Sequence, residues 1–124
     1  MTVALWCVLF AALLPYLAAT IAKAGGERYS NRDPRGWLER QRGFRARANS
    51  AQLNGFEAFP FFAVAVVVAQ MLQAPQERVD ALAVIFIAAR LGHLLCYLAD
   101  WHWARSIAWL LGWLACIFLF VSGA

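Results

Sequence analysis

Charge is scarce in this chain: of 124 residues only 15% are Asp, Glu, Lys or Arg, whereas 63% are hydrophobic. Soluble domains carry about 45 to 50% apolar residues, and a soluble chain this short cannot hide the excess. Other absences narrow the class further. No basic residue precedes the first apolar run, and that run is too long for a signal core, which argues against a cleaved leader although Ala22-Lys23-Ala24 resembles a cleavage site. No acid lies between Thr2 and Ala22, which ranks a small multidrug transporter, dependent on a carboxylate deep in its first helix, well behind the other readings. Cys7, Cys96 and Cys116 fall one each in three apolar runs, with neither CxxC spacing nor a His at zinc-finger distance. They read as small packing residues, and no metal site is expected. There is no internal repeat and no low-complexity tract.

What remains is apolar length. Runs at about 2–22, 54–73, 79–98 and 104–122 each approach the ~20 residues that cross a bilayer as helix. The fold class read from them is an all-α integral membrane protein, one domain over 1–124. Its four transmembrane helices are expected at about 2–22, 46–73, 78–98 and 102–122, the second beginning in the headgroup region. Pro15 and Pro60 are expected to kink the first two spans, because each removes a backbone donor and leaves the carbonyl of Ala11 or Phe56 without its usual partner. Between the first two spans, residues 24–43 form a loop broken by Gly25-Gly26, Asp33-Pro34 and Gly36, with a short helical turn expected at Trp37–Arg42. Trp6, Trp37, Trp101 and Trp103 fall near span ends, where an aromatic belt anchors a membrane protein. Trp109 and Trp113, one turn apart, suit either a pocket or lipid.

The formal net charge of +4 is concentrated: Lys23, Arg28, Arg32, Arg35, Arg40, Arg42, Arg45 and Arg47 all lie between the first two apolar runs. Flanked by spans, this basic stretch reads as a cytoplasmic loop under the positive-inside rule rather than as a nucleic-acid surface. The loop near 73–80 is net acidic, so it and both termini are expected outside.

Ionisable groups at membrane depth cost at least ~2.5 to 3.5 kcal/mol and usually mark a site. At about 100° per residue, Arg47, Ser50, Asn54 and Glu57 share one stripe of the second span, and Arg90, His93 and Tyr97 share one on the third. Neither stripe can face lipid cheaply, so the two are expected to face each other, with Glu57 and Arg90 as counter-ions. Arg105 and Ser106 open the fourth span, where the helix dipole favours an anion. A cation-rich pocket of this kind suits a ligand bearing carboxylates. Taken one at a time the groups have plainer accounts: a stapling ion pair, satisfied carbonyls, or an arginine that snorkels to headgroups.

The stretch from Arg47 through Asn54-Gly55-Phe56-Glu57 to Pro60-Phe61, the run Arg90-Leu91-Gly92-His93 with Tyr97, and Arg105-Ser106 together resemble the membrane-associated proteins in eicosanoid and glutathione metabolism, most closely the small bacterial members. The resemblance covers most of the chain. It implies a homotrimer of four-helix bundles in a bacterial inner membrane, with glutathione as cofactor between subunits near the cytoplasmic side, and a lipophilic small molecule as second substrate. Carried over by position, Arg47, Asn54, Glu57, Arg90, His93, Tyr97 and, more weakly, Lys23 would bind glutathione. Arg105 and Ser106 would be catalytic beside its sulfur. A thiol of pKa ~8.5 is about 3% ionised at pH 7, and lowering it two units gives roughly 75% for about 2.7 kcal/mol, which a cation plus a helix N-terminus can supply. The activity implied is a glutathione transferase or peroxidase. The chain departs from the family's enzymes at Ser50, Leu53 and Trp109, where they often carry two arginines and a tyrosine. The alternative is a non-catalytic family member that binds a membrane lipid or a partner protein.

Overall fold

A computed structural model describes all residues, Met1–Ala124. It contains α1 (Val3–Lys23), α2 (Pro34–Glu39), α3 (Phe44–Met71), α4 (Gln76–Ala99) and α5 (His102–Val121), and no strand. Four of these, all but α2, are long and apolar enough to cross a membrane. Each span boundary falls within two residues of its expected position.

The spans run up and down, with the α3–α4 turn at one end and the 24–43 loop and the α4–α5 turn at the other. Gln70 Nε2 donates to Thr2 Oγ1 at 3.2 Å, and Asp80 Oδ1 accepts from the Ala4 amide at 2.8 Å. These bonds tie the N-terminus to the α3–α4 turn, so a residue 76 positions away helps to satisfy the open amides that begin α1. Gly123 lies against Leu72, which brings the C-terminus to the same end.

α1 and α5 flank the α3/α4 pair from opposite sides. The core between them is mostly small: Ala4, Ala11, Ala65, Ala69, Ala83 and Ala115 surround the stacked rings of Phe62 and Phe86, with Cys7 and Cys116 packed among them. Small residues let helices approach closely where lipid supplies no hydrophobic drive for association. One close approach of α1 and α3 is at Gly55, where a Cβ would sit 2.9 Å from Cγ of Pro15. Gly55 therefore serves as a contact point inside a continuous helix. Pro60 also lies inside α3 without ending it.

Two expectations for the basic loop are corrected. Its helical turn is Pro34–Glu39 rather than 37–42, because the Asp33 side chain caps the Gly36 amide at 3.1 Å and Pro34 supplies a preset first residue. Trp37 is no belt anchor: it is 1% exposed, its Nε1 donates to the Arg28 carbonyl, and Tyr29 packs edge-on against it. Gly25 and Gly26 adopt positive φ, and the Arg45 guanidinium lies against them while its Nε donates to the Ala24 carbonyl. The loop is thus folded around its own small core. Trp6, Trp101 and Trp103 are exposed near span ends, as an aromatic belt requires.

Candidate functional site

A cleft of about 190 Å³ opens between α3 and α5, with α4 as its floor. From α3 it takes Asn54, Glu57 and Phe61, from α4 Arg90, and from α5 Trp109, Gly112, Trp113 and Cys116. On α5 these residues recur at intervals of three or four, so they occupy one face. The rings of Trp109 and Trp113 stack at 6.3 Å and form an apolar wall. Their one-turn spacing was the only sequence signal for this role.

The expected Glu57–Arg90 ion pair is absent. Arg90, 6% exposed, donates from Nη1 to Asn54 Oδ1 at 2.9 Å, one turn nearer the loop end than Glu57. Glu57 stands exposed at the rim. The physical reason is register: Asn54 lies toward α4, whereas Glu57 sits about 60° further round α3. The arrangement leaves a carboxylate and a buried guanidinium in the same cleft without neutralising each other.

The remaining predicted residues form a second group at the loop end. His93, 3% exposed, meets the Tyr97 ring edge-on at 5.0 Å, and the Arg105 guanidinium lies 4.4 Å over that ring. Arg105 is one turn before Trp109 on α5, on the cleft-lining face. Ser106 is exposed, and its hydroxyl donates back to the His102 carbonyl at 3.1 Å. The Arg105 amide already bonds to the Trp101 carbonyl, so the open donors of α5 are those of residues 102–104, with no side chain capping them.

Arg47 is engaged elsewhere. Its Nε donates to the Tyr97 carbonyl at 2.9 Å and its Nη2 to the Leu98 carbonyl at 3.1 Å. A cation at a helix C-terminus is favourable on both dipole and hydrogen-bond grounds, and Arg47 fixes the turn that carries Arg105. The same turn is closed by Asp100 in the left-handed region, with Trp101 N–H returning to the Cys96 carbonyl at 2.9 Å. Lys23 is exposed, and its ammonium sits 4.4 Å over Tyr29 in the loop, away from the cleft. A wider groove of about 380 Å³ along α1 has apolar walls, with the buried thiol of Cys7 among them.

Four apolar helices packed as one bundle, with a cleft between them that holds Asn54, Glu57 and Arg90, define an integral membrane protein. The chain belongs to the MAPEG family, the membrane-associated proteins of eicosanoid and glutathione metabolism, whose model matches residues 3–124. No curated protein and no solved structure matches the chain.

Proposed function

We propose that this protein is a membrane-bound, glutathione-dependent transferase or peroxidase that acts on lipophilic electrophiles. The observation that carries the reading is the cleft: a guanidinium with no acid paired to it, an amide and a carboxylate, walled by two tryptophans. These groups suit glutathione chemically, since Arg90 and Arg105 can receive carboxylates, Glu57 an ammonium group and Asn54 an amide. When bound, glutathione supplies a nucleophilic thiol. Arg105, beside the uncapped start of α5, is the residue assigned to hold negative charge at the sulfur. Trp109 and Trp113 exclude water and offer the face on which an apolar acceptor rests.

The cleft's ~190 Å³ falls short of the ~300 to 1,000 Å³ usual for ligand sites. A second copy closing its open side would complete the site, as in the homotrimer that the family resemblance implies. The concentration of arginine in residues 24–47 supports a cytoplasmic loop and outward termini.

A second reading has its own observation. At Ser50 and Leu53 the chain lacks two arginines often present in the family's enzymes; the Ser50 hydroxyl bonds to its own helix at the Ala46 carbonyl, and Leu53 is 55% exposed. A lipid-binding or partner-binding member without turnover fits that surface. Two measurements on the purified oligomer separate the readings. At ~100 times its dissociation constant, glutathione adds about 2.7 kcal/mol of stability if it binds, and conjugation of a dinitrobenzene electrophile then requires Arg105. No thermal shift at millimolar glutathione overturns the transferase reading in favour of the second. Glutathione-dependent turnover that ignores Arg105→Ala removes Arg105 from its assigned role.

A further inference from the structure

Behind the cleft, two chambers of about 10 Å³ each flank the contact between Pro15 and Gly55. Arg90 lines both chambers and the cleft as well, and no other residue is common to all three. Each chamber sets Arg90 beside a residue with an acceptor to satisfy. In one, Ala11 and Arg90 both line the wall; residue 15 is a proline, so it brings no N–H to the Ala11 carbonyl. In the other, His93 is 3% exposed and its Nδ1 has no hydrogen-bond partner. Arg90 itself has five N–H groups and makes one side-chain hydrogen bond, to Asn54.

Left dry, this would be a costly arrangement. An unpaired buried acceptor costs about 1 to 3 kcal/mol and a poorly solvated charge more. A buried water needs about 10 to 15 Å³ and two to four polar partners. Each chamber stands at the lower edge of that volume, and Arg90 with the Ala11 carbonyl in one, or with His93 Nδ1 in the other, would supply two partners.

We infer that each chamber holds one internal water, one bridging Arg90 to the Ala11 carbonyl and the other bridging Arg90 to His93 Nδ1. The guanidinium is then solvated from inside the bundle, and its remaining face is free for the cleft. Pro15 and His93 become positioning residues for Arg90, each acting through water. This accounts for a buried cation at membrane depth that has an amide, and no acid, as its protein partner. It also assigns Pro15 a role beyond shape, since an alanine there would give the Ala11 carbonyl its N–H.

The test is water-to-protein magnetisation transfer by solid-state NMR, on the full chain in lipid with ¹⁵N-labelled arginine and histidine. Transfer from water to the Arg90 side chain and the His93 ring is expected in the native protein. His93→Phe should reduce transfer to Arg90 by about half and His93→Gln should restore it; Pro15→Ala should reduce it independently. A dry Arg90 in the native protein overturns the inference, as does transfer that none of these changes affects. Glutathione takes no part in the readout, so the result stands apart from the proposed activity.

Discussion

The strongest single-residue statement concerns Arg90. Its protein partner is Asn54 at 2.9 Å, so Asn54→Ala removes the one side-chain acceptor of a buried guanidinium and should cost about 2 to 3 kcal/mol, measured by unfolding in mixed detergent. Replacing both residues, as Asn54→Ala with Arg90→Met, should cost less than the single change, because removing a buried charge with its partner avoids the stranded group. Glu57→Gln should leave stability within about 0.5 kcal/mol, the usual range for an exposed position away from special contacts. A large loss there would restore the ion pair that the polar stripes suggested. Those stripes identified the right helix faces, but the sequence could not distinguish Asn54 from Glu57 as partner. A rotation of about 60° decides it.

Among elements, the α1–α3 contact and the α4–α5 turn carry the bundle's specificity. Gly55→Ala places a methyl against Pro15 and should destabilise by about 1 to 3 kcal/mol through overpacking. Gly92→Ala meets nothing within 4 Å and should be neutral or gain up to about 1 kcal/mol in helix propensity. The contrast, read from paired unfolding curves, tests the helix packing directly. At the turn, Arg47→Ala loses two hydrogen bonds to the last carbonyls of α4 and should cost about 2 to 4 kcal/mol. Lysine should recover only part of that, since it lacks the planar fork. The Trp37 core of the basic loop was illegible in the sequence: a tryptophan near a span end matches an anchor, and only the folding of the loop on itself buries it. Trp37→Ala should open residues 24–43 to trypsin at Arg28, Arg32 and Arg35 while the spans stay intact, as a mass map of the fragments would show.

At the scale of the whole molecule, the outer surface is apolar on every span. Leu9, Leu13 and Leu17 of α1, Val64 and Val67 of α3, Ile85 of α4, and Leu110 and Phe118 of α5 are all exposed. A surface of this kind belongs against lipid or another subunit. Single cysteines introduced at Ala124 and at Arg42, in a chain whose three native cysteines are replaced, should react with an impermeant maleimide from opposite sides of a sealed vesicle. Labelling of both from one side would overturn the up-and-down arrangement. Cross-linking in native membrane should stop at three copies if the cleft is completed by a neighbour.

The sequence by itself determined the membrane class, the four spans and the faces that carry polarity, because these depend on composition, length and a 3.6-residue period, all of which are local, and its motifs carried the resemblance to the family. Tertiary structure alone decided that Arg90 bonds to Asn54, that Arg47 holds a helix end, that Trp109 and Trp113 wall the cleft, and that Pro15 and Gly55 leave two chambers behind it. Each of these depends on how far one helix is turned and shifted against another, which packing fixes and no single stretch of sequence encodes.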